Sequence, residues 1–103
     1  MKSVPFGSGT APAVVAGMMR IPDKTDAEVR ELYDTARAAG IDFFDHADIY
    51  GGAMHVCEDR FASALRLSAA ERDEIILQTK CGIVPPEQMF DFSYEHIVTQ
   101  VEG

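Results

Sequence analysis

Three polar side chains of complementary chemistry stand near the ends of predicted strands. Asp45 follows the β-favouring run at residues 41–44, Tyr50 lies in the loop beyond it, and Lys80 ends a later strand-like run. A lysine ammonium stabilises a neighbouring phenolate, which makes a tyrosine a better proton donor near neutral pH. A carboxylate would hold the lysine in place and keep it charged. If their two strands are neighbours, these residues predict a site for general acid catalysis.

Strand-like and helix-like patterns alternate around these residues. Thr25 and Glu28 predict a capping box at the start of a helix that ends before Gly40. Ser68 and Glu71 predict a second capping box, and Ser93 a cap for the last helix. Strands are expected at Ala13–Ala16, Ile41–Phe44 and Glu74–Thr79, and helices at 26–39, at about Cys57–Leu67 and after Ser93, where Tyr94, Ile97, Val98 and Val101 form an apolar stripe.

The order strand, helix, strand, helix, strand, helix favours parallel strand pairing, because a helical crossover returns the chain to the same end of the sheet. A doubly wound sheet and a (β/α)8 barrel both have this order. The first βα turn carries no GxGxxG, which weakens the dinucleotide-binding doubly wound interpretation. A complete barrel takes about 250 residues, so 103 residues would supply well under half of one.

Composition is that of one ordinary globular domain over residues 1–103, with 47% hydrophobic and 25% charged residues. The net charge of −8 argues against nucleic-acid binding, which depends on neutralising phosphates. The apolar runs are far shorter than the roughly 20 residues that span a bilayer, and no secretion signal is evident. We therefore expect a cytoplasmic protein without a membrane partner, in which Cys57 and Cys81 are free thiols.

Two separated motifs resemble the aldo-keto reductase family. They are FFDHADIYGG at 43–52 and LQTKCG at 77–82, and the segments AGMMRI at 16–21 and FSYEHIVTQVEG at 92–103 agree with the same frame. The chain is most similar to the bacterial oxidoreductase branch of that family. The resemblance covers nearly the whole chain from about residue 13.

The resemblance implies an α/β fold that comprises the first three βα units of a (β/α)8 TIM-type barrel. It also implies NADPH as hydride donor and small aldehydes or ketones as substrates. Asp45, Tyr50 and Lys80 match three members of the family's catalytic tetrad, and the fourth, a histidine, lies beyond Gly103 in the family. Gly17, Met18, Met19 and Asp45 match its early cofactor contacts, whereas most of its N-terminal hairpin is expected to be missing. We expect this fragment to be nearly inactive alone.

Other interpretations of the same residues remain open. A truncated relative without catalytic activity could self-associate or bind a complementary half-barrel through exposed strand edges. His46, Asp48, His55 and Cys57 are suitable metal ligands, but their spacing matches no standard zinc pattern, so a metal-dependent hydrolase is remote and no metal is predicted. The aromatic residues of Phe90–Tyr94 suggest a loop on the substrate side, although packing against further barrel elements would look the same.

Overall fold

The computed structural model describes residues 1–87 and 89–103. Its strands and helices alternate along the chain as predicted, with one short strand pair added before β3 and another between β5 and α4. The elements are β1 (Ser3–Phe6), β2 (Gly9–Pro12), β3 (Ala16–Gly17), α1 (Asp26–Ala38), β4 (Phe43–Asp45), α2 (Val56–Leu65), α3 (Ala69–Asp73), β5 (Ile76–Gln78), β6 (Ile83–Val84), β7 (Met89–Phe90) and α4 (Tyr94–Glu102).

A parallel sheet of three strands in the order β3-β4-β5 organises the chain. Gly17 pairs with Asp45, and Asp45 pairs in turn with Gln78, so the three carboxyl ends lie side by side. Backbone pairing continues past the strands, because the Asp48 N–H donates to the Lys80 carbonyl at 3.0 Å. The sheet is open at β3 and β5 within the described residues. The predicted parallel βα order is confirmed.

Capping fixes where the helices begin. Thr25 accepts a hydrogen bond from the Glu28 backbone while the Glu28 carboxylate accepts one from the Thr25 backbone, and Ser68 and Glu71 repeat this arrangement at α3. Ser93 caps α4 through the His96 N–H. Each cap satisfies backbone N–H groups that have no partner within the helix. All three predicted caps are confirmed.

An aromatic cluster packs α1 and α2 against one face of the sheet. Phe44 is fully buried and stacks on Tyr33 at a centroid distance of 5.3 Å. Phe61 of α2 lies 5.4 Å from Phe44 and 6.3 Å from Tyr33. Val29 and Cys57 complete the buried cluster. Burial of such side chains contributes about 1.5–3 kcal/mol each, so this cluster contributes strongly to stability.

The expectation that most of the N-terminal hairpin is missing is wrong. β1 and β2 pair antiparallel from Ser3↔Pro12 to Phe6↔Gly9. Gly7 has a φ of 58°, which suits the tight two-residue turn between them. Backbone pairing continues one residue beyond the two strands, because the Ala13 N–H donates to the Lys2 carbonyl at 2.7 Å. Phe6 then packs edge to face on Phe43 at 5.4 Å, on the sheet face away from the helices.

Several strands and helices begin or end at other residues than predicted. The first parallel strand occupies Ala16–Gly17 rather than Ala13–Ala16, because the chain at Ala13 still pairs with the N-terminal hairpin. β4 and β5 are three residues each, shorter than the predicted strands Ile41–Phe44 and Glu74–Thr79. α2 ends at Leu65, two residues early, because Arg66 adopts the left-handed conformation with a φ of 46°.

The apolar stripe of α4 forms as predicted but is not buried in the described chain. Ile97 is 40% exposed and Val101 is 77% exposed. None of the described α4 side chains is fully buried. Cys57 and Cys81 are both free, as predicted. Of the helices within 1–87 and 89–103, none is long and apolar enough to cross a membrane.

Candidate active site

Asp45 and Lys80 meet at the carboxyl end of the parallel sheet. The Lys80 ammonium donates to both Asp45 carboxylate oxygens, at 2.8 and 2.7 Å, and to the His46 carbonyl at 2.6 Å. Asp45 ends β4 and Lys80 lies two residues beyond the end of the adjacent parallel strand β5, so their side chains reach the same edge of the sheet. The convergence predicted from the sequence is therefore present.

The electrostatics of this pair keep both groups charged. Burial disfavours the Asp45 carboxylate, but hydrogen bonds from Lys80 and Gln78 outweigh it and hold the pKa of Asp45 below its ordinary value. Burial also disfavours the Lys80 ammonium, but hydrogen bonds to Asp45 and Tyr50 outweigh it and raise the pKa of Lys80. The side chain of Lys80 is 46% exposed and that of Asp45 24%, so solvent screening limits what the pair contributes to folding.

Tyr50 lies beside this pair in the loop between β4 and α2. The Lys80 ammonium sits 5.1 Å from the centroid of the Tyr50 ring, within cation–π range. The loop is fixed by its backbone, because the Tyr50 carbonyl accepts from the Cys57 N–H at 3.1 Å and Gly51 supplies a φ of 104°. The three predicted catalytic residues are thus neighbours, in an arrangement that can stabilise negative charge on a phenol oxygen.

Gln78 and the His46 carbonyl are contacts that sequence reasoning missed. The Gln78 amide donates to Asp45 Oδ1 at 2.6 Å, so the carboxylate accepts hydrogen bonds from both Gln78 and Lys80. A signal for Gln78 was available. Residues 78 and 80 share one face of an extended chain because side chains alternate along a strand. The His46 carbonyl had no such signal, because backbone groups carry no residue type.

The three predicted cofactor contacts besides Asp45 lie at the end of β3 and directly after it. Gly17 is exposed, in register with Asp45, and a Cβ there would meet no atom within 4 Å. Met19 is half exposed, whereas the Met18 side chain is buried in the core and only its backbone faces the strand end, where its N–H donates to the Asp45 carbonyl at 2.9 Å. The surface at Gly17 is therefore open beside the strand end that carries Asp45.

The residues considered as metal ligands do not gather into one site. The His55 ring nitrogen Nδ1 lies 2.5 Å from the Glu58 carboxylate, and Cys57 is in the core instead. His46 is buried against Phe61 with both ring nitrogens unpaired. Within the described part of the chain, no group of three or more histidine, cysteine or acidic residues is arranged to hold a metal ion.

Comparisons with known proteins agree with this geometry. The family model described as "Aldo/keto reductase family" matches residues 13–103. The uncharacterized oxidoreductase YcsN of Bacillus subtilis is 41% identical over 99 residues, covering 86% of this chain and 32% of YcsN. A 6-dehydroglucose reductase of Agrobacterium fabrum is 36% identical over 101 residues, covering 87% of this chain and 33% of that protein.

A solved structure gives the fold. The crystal structure of a protein from Pseudomonas aeruginosa that is assigned to the aldo-keto reductases matches with a TM-score of 0.78 at 27% identity, covering 97% of this chain and 39% of that one. The chain thus spans about a third of the length of the curated relatives it matches. This confirms the predicted fold class, a mixed α/β part of an incomplete barrel. By its motifs, its fold and its matched length, the chain belongs to the aldo/keto reductase family of oxidoreductases.

Proposed function

We propose that this chain provides the first three βα units of an NADPH-dependent reductase that converts aldehydes or ketones to alcohols. The observation that carries the proposal is the Asp45–Lys80 ion pair beside the Tyr50 ring. In a barrel these residues would line the mouth where strands end, the usual place for catalytic groups. The name of the Agrobacterium relative makes a sugar aldehyde a good first substrate to assay.

Each residue has a separate task in the proposed reaction. NADPH, when bound, supplies a hydride to the carbonyl carbon. Tyr50 donates its phenol proton to the carbonyl oxygen, which becomes the hydroxyl of the alcohol. The Lys80 ammonium stabilises the phenolate left on Tyr50 until solvent returns a proton. Asp45, held by Gln78, keeps the ammonium charged and directed toward the phenol.

We further propose that these 103 residues turn over little substrate by themselves. Support comes from the open three-stranded sheet and from the share of the relatives' length that the chain covers. Nicotinamide placement needs groups on both sides of the ring, and Gly17, Met19 and Asp45 lie on one edge only. Cytoplasmic location remains a prediction.

The test measures NADPH oxidation with a panel of aldehydes, first by this chain and then by this chain co-expressed with the remaining part of YcsN. We expect a rate near background alone and a measurable rate after complementation. Tyr50→Phe should lower the complemented rate about 100-fold or more, because general acid catalysis contributes at least that much. Tyr94→Phe, at an exposed tyrosine outside the site, should leave it unchanged.

Two results would contradict these proposals separately. Robust turnover by the pure chain would overturn its inactivity. A complemented enzyme that keeps its rate with Tyr50→Phe would overturn the assigned proton donor.

A second candidate function is self-association as a non-catalytic module. It is favoured by the open edges of β3 and β5 and by the exposed apolar side chains Leu77, Ile97 and Val101. Such surfaces invite pairing with a second chain. Sedimentation should then show dimers or larger species as concentration rises, and a folded monomer at high concentration would count against it.

A further inference from the structure

A cavity of about 330 Å³ opens beside the Tyr50–Lys80 pair. One wall comes from the loop after β4, with Ile49 and Tyr50, and the other comes from the segment after β5, with Ile83, Phe90 and Phe92. The polar groups of Tyr50 and Lys80 therefore lie at one side of a cavity whose other side is aromatic. Nothing in the proposed chemistry so far uses these aromatic residues.

The aromatic wall is a built feature of the β6–β7 hairpin. The Phe90 and Phe92 rings are nearly parallel, with an interplanar angle of 14° and a centroid distance of 6.1 Å. The hairpin pairs Ile83 with Phe90, and the Asp91 N–H donates to the Gly82 carbonyl at 2.8 Å. These contacts tie the two rings to the backbone that immediately follows Lys80.

Gly82 is what allows Phe92 to occupy this position. It has a φ of 122°, and a Cβ there would lie 2.1 Å from Phe92 Cε1. The Phe92 ring thus rests directly on the backbone two residues after the catalytic lysine. Both rings nevertheless remain about two-thirds exposed, at 69% for Phe90 and 66% for Phe92. Phe92 is therefore held on one side by Gly82, and both rings line the cavity.

We propose that Phe90 and Phe92 form a specificity wall that selects carbonyl substrates bearing a ring. This inference rests on the proposed reductase function and adds the substrate class to it. A ring with a flat apolar face gains contact area and stacking against the phenyl groups while its carbonyl reaches Tyr50. A flexible chain of equal carbon number loses more conformational freedom on binding and offers no flat face, so it binds less well.

Binding of unreactive alcohols to the whole 103-residue chain tests the wall without requiring turnover. Benzyl alcohol, cyclohexylmethanol and heptan-1-ol, which have seven carbons each, are titrated while amide NMR shifts are followed. We expect both ring alcohols to shift the signals of Tyr50, Lys80 and Phe92 and to bind about 5-fold more tightly than heptan-1-ol. Binding of benzyl alcohol alone would narrow the class to aromatic rings and would still support the wall.

Substitutions of Phe90 and Phe92 distinguish ring stacking from nonspecific apolar contact with the bound alcohol. Phe92→Leu should weaken binding of the ring alcohols about 5-fold to 10-fold, in line with the value of an aromatic pair, while changing the affinity for heptan-1-ol less than 2-fold. Phe90→Leu, at a residue with little packing, is a second variant in case Phe92→Leu disturbs the hairpin. Tyr94→Leu is the matched control, because Tyr94 is 78% exposed and does not line the cavity.

Equal affinity for ring and chain alcohols, or unchanged ring affinity in both phenylalanine variants, would overturn the specificity wall. The proposed function can fail independently. If the complemented enzyme has no reductase activity but its binding of ring alcohols still depends on Phe92, the proposed reaction is refuted and the proposed binding site stands. A complemented enzyme that reduces linear and ring aldehydes equally well would keep the reaction and refute the wall.

Discussion

The two faces of the parallel sheet differ in how far the chain completes them. On the helix-covered face, Phe44 is fully buried and in contact with Tyr33 and Phe61. On the opposite face, Asp45 and Lys80 pair with each other but stay partly exposed. Alternation of side chains along β4 sends consecutive residues to opposite faces.

Residues that stabilise the fold and residues proposed for catalysis are therefore close in sequence but lie on opposite faces of the sheet. The helix-covered face closes with residues nearby in sequence, so it can be stable in a chain of this length. The open face corresponds to a barrel interior, where strands from the remaining two-thirds of the relatives would complete the lining. The N-terminal hairpin covers part of it, through Phe6 on Phe43.

The largest expected effect is at the centre of the helix-covered face. Phe44→Ala should lower the free energy of unfolding by about 3–5 kcal/mol, because it leaves a cavity among rings that cannot collapse fully. Phe6→Ala, the matched change on the open face, should cost about 1 kcal/mol, because Phe6 is already 49% exposed. Urea unfolding of both variants measures the difference. Equal losses would show that the two faces are equally complete.

His46 packs against Phe61 on the helix-covered face, so it offers a pH-dependent test of that face. Burial lowers its pKa despite the nearby Glu58 and Asp45 carboxylates, so the folded chain favours the neutral ring. Stability should therefore be full above the unfolded value of about 6.5 and decline as the pH falls from there toward the lower folded pKa. Each unit of lowering corresponds to about 1.4 kcal/mol.

His46→Leu should flatten this dependence, because it replaces a ring with two unpaired nitrogens by an apolar side chain. The variant is expected to equal or exceed the original chain in stability near pH 5. Urea unfolding between pH 5 and 8 gives the comparison. An unchanged slope in His46→Leu would show that another group controls stability in this range.

The smallest expected effect is on the open face. Asp45→Asn should lower the free energy of unfolding by about 0.5 kcal/mol, the usual value for a solvent-exposed ion pair. Because the Asp45 pKa is lowered on folding, this contribution is present above about pH 3.9 and disappears as the pH falls through the folded value.

Asp34→Asn is the control for that change, since it removes an exposed pair with Arg30 that is 3.7 Å apart. Its effect should be near zero. A loss of several kcal/mol in Asp45→Asn would mean that the open face is structural and would weaken the separation between folding and catalysis.

Local signals predicted most of the elements well. Thr25 and Ser68 placed the helix starts correctly because a capping box depends on residues only three apart. The motif positions of Asp45 and Lys80 predicted a shared edge, and their ion pair confirms it. The N-terminal hairpin was missed although Gly7 stands at its turn, because four-residue strands carry too little periodicity to stand out.

The sequence by itself determined the helix caps, the βα order and the residue types at the proposed active site, because these depend on neighbouring residues or on a recognisable motif. Only the tertiary structure decided that Gln78 shares Asp45 with Lys80, that Phe92 lies on Gly82, and that His46 is buried without partners. Such contacts join separate segments, and their distances depend on strand register and packing, which no local pattern specifies.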